Sequence, residues 1–176
     1  MTGHHGGLAR VAATAGRLAH RHHRGDAYVA TERIAATPQR ILEVLSDPQA
    51  VKRWFPLPCD FDVDVERLEE GGSYRTHGRL AGRSLNAELR VLEADERHIA
   101  VRLSGPVVLD LSAELAGGTA GTQARILASV HSGGGLSGKL LTPAASALLR
   151  AGALERTVAA IRAEAETGTA APAGAA

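Results

Sequence analysis

Hydrophobic and polar residues alternate along most of the middle of this chain, and that alternation predicts strands. YVATERI (28–34) opens the pattern, and six further alternating segments lie near 59–67, 72–81, 84–93, 98–104, 107–116 and 121–131. Most are separated by short turns containing glycine or charge. Spacing this close leaves no room for crossover helices, so the six read as an antiparallel meander. Between the first strand and the meander the period turns helical. Thr37 can cap a helix whose first turn holds Pro38 and whose apolar face is Ile41, Leu42 and Leu45. Asp47-Pro48 ends it and starts a second short helix, which runs into Trp54-Phe55-Pro56.

The last element is a long helix over about 139–166. Leu140, Ala144, Ala147, Ala151, Leu154, Val158, Ile161 and Ala165 recur at alternating steps of four and three, which predicts one continuous apolar stripe. Pro143 predicts a kink near the start. The first half of the stripe is small, with Gly152 beside it, and the second half is large. Small residues facing a curved sheet leave volume unfilled, which points to a cavity under the first half. Close packing of helix on sheet is the other reading.

Alternation also assigns faces. Phe61, Val63 and Val65 point in, and Asp60, Asp62, Asp64 and Glu66 point out. A turn at 69–72 sets Val65 opposite Thr76, Val63 opposite Gly78 and Phe61 opposite Leu80, with Glu66 by Arg75, Asp64 by His77 and Asp62 by Arg79 outside. A turn around 81–84 sets Leu80 against Leu85, Gly78 against Ala87, Thr76 against Leu89 and Tyr74 against Val91, with His77 meeting Glu88 outside. Ile99, Val101, Leu103, Val107, Leu109, Leu111, Ala113 and Leu115 then face in, followed by Ala124, Ile126, Ala128 and Val130. His77 with Asp64 and Glu88 resembles acid–base machinery, but this register puts the trio on the solvent face as a charge ladder. The interior is aliphatic apart from Tyr74 and Thr76, beside the gap left by Gly78. Their hydroxyls either bond backbone and water or orient a ligand.

Composition narrows the classes. The 176 residues suit one domain with tails: a leader at 1–26, a domain at 27–166 and a tail at 167–176 that is disordered by composition. Cys59 is the single cysteine, so neither an intramolecular disulfide nor a cysteine metal site is expected, which fits a cytoplasmic location. No apolar run is long enough to span a membrane, and Arg10 and Arg17 interrupt any signal segment. The leader holds Arg10, Arg17, Arg21 and Arg24 and no acid, so the overall net charge of +1 leaves −3 for the rest. Leu8, Val11, Ala15 and Leu18 give the leader a weak amphipathic helix over 8–19; it is either a frayed extension or a contact for an acidic surface, with peripheral membrane contact assigned to residues 8–24. Its histidines lack a ligand frame. HSGGGLSGK (131–139) lacks Walker spacing and reads as a hinge. No metal motif or cofactor fingerprint is present, so neither metal nor cofactor is expected. No basic aromatic surface suggests specific nucleic-acid binding.

Three stretches carry a resemblance: TPQRILEVLSDPQAVKRWFP (37–56), EEGGSYRTHGRLAGRSLNAELRVLEAD (69–95) and GLSGKLLTPAASALLRAGALERTVAAIRAEAE (135–166). Their order resembles the START-like (SRPBCC, helix-grip) superfamily, and within it the bacterial polyketide cyclase/dehydrase-type and carbon-monoxide-dehydrogenase-subunit-G-like members. The resemblance covers about 27–166. It implies an α+β fold in which a curved antiparallel sheet of about seven strands wraps a long C-terminal helix, with two short helices after the first strand. It also implies a small hydrophobic partner (polyketide, lipid or isoprenoid-like) held between sheet and helix. Trp54 and Phe55 would stand at the mouth. Phe61, Leu89, Val101, Leu109, Leu111 and Leu148 would contact the ligand along the walls. If a cyclase or aromatase reaction occurs, Tyr74 and Thr76 are the candidate donors to a developing enolate; enzyme status stays open. The alternative is a non-catalytic module docking to a membrane, ribosome or protein through the leader. Oligomeric state is not readable from these patterns.

Overall fold

The computed structural model describes residues 26–62 and 65–167. The expectations placed on the leader up to residue 25, on Val63 and Asp64, and on the tail from 168 onward lie outside the described residues.

The elements run β1 (Asp26–Ile34), α1 (Pro38–Ser46), α2 (Pro48–Trp54), β2 (Cys59–Phe61), β3 (Ser73–Leu80), β4 (Arg83–Ala94), β5 (His98–Ser104), β6 (Val107–Gly118), β7 (Gly121–Ser132), α3 (Gly135–Arg150) and α4 (Ala153–Thr167). All seven strands form one antiparallel sheet in the order β1-β7-β6-β5-β4-β3-β2. Strands β2 to β7 are the meander, and β1 closes its far edge by pairing with β7. The curved sheet and the C-terminal helix against it are the helix-grip arrangement that the resemblance implies.

The two short helices start as their sequence dictates. Thr37 Oγ1 accepts from Arg40 N at 3.2 Å, Asp47 Oδ1 accepts from Gln49 N at 2.8 Å, and Pro38 and Pro48 fill the first turns. Thr122 is fully buried on β7, and its hydroxyl donates to Ala36 O at 2.6 Å, fixing the link between β1 and α1. The largest fully buried side chains include Ile34, Ile41, Val91, Val158 and Ile161, so the densest packing lies between α1, α4 and the sheet.

Two registers differ from the sequence expectation. Phe61 pairs with Thr76 and Cys59 with Gly78, four residues away from the register placing Phe61 opposite Leu80. Strand β2 is three residues long rather than extending to residue 67, because the chain leaves the sheet after Phe61. Leu68 then enters the core and its N–H donates to Ser46 O at 2.8 Å; the expected turn at 69–72 forms, with Gly72 N donating to Glu69 O at 2.9 Å, but it follows this long excursion and does not join β2 directly to β3. The β3–β4 pair differs by two. Ala81 (φ 50°) and Gly82 (φ 76°) form a two-residue turn with both central residues left-handed, the geometry that suits hairpin twist. Leu80 therefore pairs with Arg83, Gly78 with Leu85, Thr76 with Ala87 and Tyr74 with Leu89, while His77 meets Asn86 and Glu88 meets Arg75. Both displacements are even, so the side chains of β2 (Cys59–Phe61), β3 and β4 keep their assigned faces. The pairings of β5, β6 and β7 bring the expected inward residues together, as in Val101 with Leu111 and Leu111 with Ala128.

The long helix is two helices. Gly152 takes φ +82° just past the end of α3, a left-handed cap that breaks the helix, and the chain restarts at Ala153. The apolar stripe slips at this break. On α4, Leu154, Val158, Ile161 and Ala165 are buried as their spacing predicts. On α3 the buried residues are Gly138, Leu141 and Ser146, whereas Leu140, Ala147 and Ala151 are exposed. The helix also begins at Gly135 rather than at 139, which places Pro143 in its middle; the predicted hinge is confined to Gly133 and Gly134. Three long-range bonds hold the helices on β1 and the residue after it: Tyr28 Oη donates to Ser146 O at 3.3 Å, Arg162 pairs with Glu32, and Glu166 Oε1 accepts from Ala35 N at 2.9 Å.

Candidate functional site

The inward face of the sheet and the helices enclose a cleft of two adjoining lobes, with cavity volumes of about 100 Å³ and about 120 Å³. Leu45, Trp54, Phe55, Leu57, Val101, Leu109, Leu111 and Ala145 belong to the walls of both. The first lobe continues under α3 and α4 through Leu148, Leu149, Leu154 and Ile161. The second continues along β3 and β4 through Phe61, Thr76, Leu85 and Leu89. The shared walls come from α1, the end of α2 and the loop after it, the middle of the sheet and α3.

The aromatic pair is placed by helix-end chemistry. The last carbonyls of a helix lack partners within it. At the end of α1, Glu43 O accepts from Asp47 N at 3.0 Å, Ser46 O accepts from Leu68 N at 2.8 Å, and Val44 O accepts from Trp54 Nε1 at 3.1 Å. The indole is thereby anchored at its polar edge while its ring borders both lobes. Phe55 packs edge-on against it, with ring centroids 6.1 Å apart and planes at 72°. On the outer side, Arg53 and Glu164 form a two-pronged ion pair at 2.5 and 3.1 Å, tying α2 to α4. The hydrogen bond from Arg53 holds the Glu164 carboxyl below its usual range.

Polar groups in the lining are few: Ser112 borders the first lobe from β6, and the two threonine hydroxyls are bonded to backbone. Thr76 Oγ1 donates to Ala87 O at 3.2 Å, and Thr157 Oγ1 donates to Ala153 O at 2.9 Å. Cys59 borders the second lobe, and burial pushes its thiol up to about 11, which keeps it protonated near neutrality and weakly nucleophilic. His77 and Arg79 also border that lobe, but the alternation of β3 turns their side chains to the exposed face.

That face holds the charge cluster. His77 Nδ1 lies 2.8 Å from Asp62 Oδ1, its Nε2 is 3.9 Å from Asp60 Oδ2, and Lys52 Nζ is 2.9 Å from Asp60 Oδ1. The hydrogen bond from Lys52 lowers the Asp60 carboxyl below its usual value. The partners are thus Asp62 and Asp60, where the sequence register had Asp64 and Glu88; Glu88 instead accepts from Ser73 Oγ, which lowers its own pKa. The shift follows from the β2 and β3–β4 registers, and the cluster faces solvent as expected.

Of the residues named from sequence, Trp54, Phe55, Val101, Leu109 and Leu111 line both lobes; Phe61, Thr76 and Leu89 line the second, and Leu148 the first. Tyr74 lines neither. Its hydroxyl accepts from Glu69 N at 3.0 Å and reaches Arg67 O at 3.5 Å, so it secures the 67–69 segment. Leu57, Ala145 and Leu149 were not singled out from sequence. Leu57 sits between Pro56 and Pro58, where no periodicity exists, and Ala145 and Leu149 emerge only when the stripe slips. Among the described residues, no group of three His, Cys, Asp or Glu is placed to hold a metal ion, and no helix is long and apolar enough to cross a membrane.

The family described as "Polyketide cyclase / dehydrase and lipid transport" matches residues 27–166. Among curated proteins nothing matches. Among solved structures, protein NE0264 from Nitrosomonas europaea aligns with TM-score 0.61 and 18% identity over 82% of this chain and 97% of its own. Protein CV1439 from Chromobacterium violaceum aligns with TM-score 0.58 and 17% identity, over 80% and 96%. DynU16, from the dynemicin biosynthetic locus, aligns with TM-score 0.53 and 21% identity over 81% of this chain and 48% of its own, so the chain spans about half of that protein. At these identities the likeness is one of fold.

Proposed function

This chain belongs to the polyketide cyclase/dehydrase and lipid transport family, and from that membership we propose that it binds one small hydrophobic molecule in the cleft between sheet and helices. The observation that carries this reading is the lining. Two adjoining apolar lobes share a wall containing Trp54 and Phe55, and the two lining threonine hydroxyls already donate to backbone. Such a surface selects by shape and apolar area, which suits a polyketide, fatty acyl or isoprenoid-like chain. Phe61, Leu89, Val101, Leu109, Leu111 and Leu148 contact the ligand, and Trp54 and Phe55 stack on any ring it carries.

The same lining favours holding over acid–base chemistry. Thr76 remains able to accept a hydrogen bond from the ligand, whereas Tyr74 serves the 67–69 segment. A cyclisation in this cleft would therefore proceed by folding a reactive chain and excluding water. The lone, protonated thiol of Cys59 is compatible with a reducing cytoplasm.

The test is native mass spectrometry of the protein from a bacterial host, with denaturing spectra alongside. A stoichiometric adduct released on denaturation supports the reading and supplies the ligand mass. An apo spectrum that persists after incubation with fatty acids, isoprenoids and aromatic polyketides overturns it.

A further inference from the structure

Helix α3 is apolar on two sides. Its inner side supplies Leu141, Ala145 and Leu149 to the core and cleft. Its outer side carries Leu136 at 81% exposure and Leu140 at 63%, with Leu148 at 36% beside the cleft. At about 100° per residue, Leu136, Leu140, Pro143 and Ala147 fall along one line down the helix, turned away from Gly138 and Leu141. A surface helix ordinarily sets polar residues on that line. Among the described residues the exposed large hydrophobics are Val29, Leu92 and these three leucines, so α3 holds most of them.

Charge indicates what covers this face. The only charged residues of α3 are Lys139 and Arg150, and no Asp or Glu occurs anywhere from residue 115 to residue 154. The acid-free leader, with Arg10, Arg17, Arg21 and Arg24, joins the fold at Asp26. Asp26 pairs with Val130, close to the point where β7 ends and the chain passes through Gly133 and Gly134 into α3. The point where the leader attaches therefore lies near the end of α3 where Leu136 is exposed. In a symmetric dimer this patch would face itself and bring the Lys139 and Arg150 side chains of both copies together, which like charge opposes.

We propose that the outer face of α3 docks onto a bilayer containing anionic phospholipid. Leu136 and Leu140 enter the boundary between headgroups and acyl chains, and Lys139, on the same helix, meets the phosphates. Leu148, which borders the first lobe and is 36% exposed, lies on the flank of α3 between this outer face and the cleft. Gly135 (φ +76°) and Gly152 (φ +82°) bound the helix, so the backbone at each end is of the kind that turns easily. This docking rests on the outer face alone and stands apart from what the cleft holds.

Flotation of the full chain with vesicles of phosphatidylcholine, or of phosphatidylcholine mixed with phosphatidylglycerol, tests it. The wild type should float with the mixed vesicles and not with phosphatidylcholine alone. A Leu136→Ser, Leu140→Ser double variant should lose about tenfold or more in partitioning. Its thermal midpoint should stay within about 2 °C of wild type, since both side chains are exposed. Absence of wild-type flotation overturns the proposal, as does undiminished flotation of the double variant, which would assign binding to the leader. A dimer in sedimentation equilibrium that the double variant dissolves, without vesicle binding, overturns it in favour of a second copy.

Discussion

The indole Nε1 of Trp54 donates a 3.1 Å hydrogen bond to the carbonyl oxygen of Val44, one of the unpaired carbonyls at the end of α1. This single contact joins the end of α2 to the end of α1 and fixes the plane of a ring that borders both lobes of the cleft. Trp54 is also the only tryptophan. Its fluorescence should therefore shift when an apolar ligand enters. Trp54→Phe keeps most of the apolar area but leaves Val44 O unpaired; a loss of about 1 kcal/mol is expected in urea unfolding. Trp54→Ala should weaken ligand binding more than it weakens the fold, read by calorimetric titration beside the unfolding curve.

The slip of the apolar stripe is testable with two adjacent leucines. Leu141 is 3% exposed and Leu140 is 63% exposed. Leu141→Ala should destabilise by about 2–5 kcal/mol, and Leu140→Ala by no more than about 0.5 kcal/mol. Equal effects would restore the continuous stripe.

Glycine at the helix break is a backbone requirement. Gly152 lies at φ +82° with only ordinary contacts awaiting a Cβ, so Gly152→Ala should cost about 1–2 kcal/mol through backbone strain. Gly121 combines φ +111° with a Cβ position 2.3 Å from Ile34 O, so Gly121→Ala should cost clearly more. Thermal unfolding of the two variants gives the order.

Burial raises the Cys59 thiol from 9.0 when unfolded to about 11 in the fold. The folded state holds this proton more tightly, so the associated stability is complete below about pH 9 and is lost as pH rises through about 11. The fall in thermal midpoint over that window should be shallower in Cys59→Ala than in wild type. Thiol reagents at pH 8 should label the native protein slowly and the urea-unfolded protein quickly.

His77 pairs with Asp62 and Asp60 on the solvent face. His77→Ala should leave ligand binding unchanged and stability within about 0.5 kcal/mol. Loss of ligand by a folded variant would place the imidazole in the site.

Much of the site follows from alternation. Phe61, Thr76, Leu89, Val101, Leu109 and Leu111 are legible as inward residues because strand period is two. The registers of β2 with β3 and of β3 with β4 moved by even steps, so no face changed. Tyr74 shows the limit: facing inward did not decide where its hydroxyl went, and the backbone of residues 67–69 took it.

Local chemistry written in the chain determined the caps at Thr37 and Asp47, the meander, the aromatic pair after α2 and the apolar face of α4. Each depends on residues close in sequence, through capping bonds or a fixed period. Tertiary structure alone decided the break at Gly152, the outward turn of Leu140 and the anchoring of Trp54 on Val44. A left-handed glycine, a long excursion through Leu68 and an unpaired helix carbonyl act between segments that the sequence pattern treats separately. Their outcome depends on which groups remain to be buried and hydrogen-bonded once the sheet has curved around the helices.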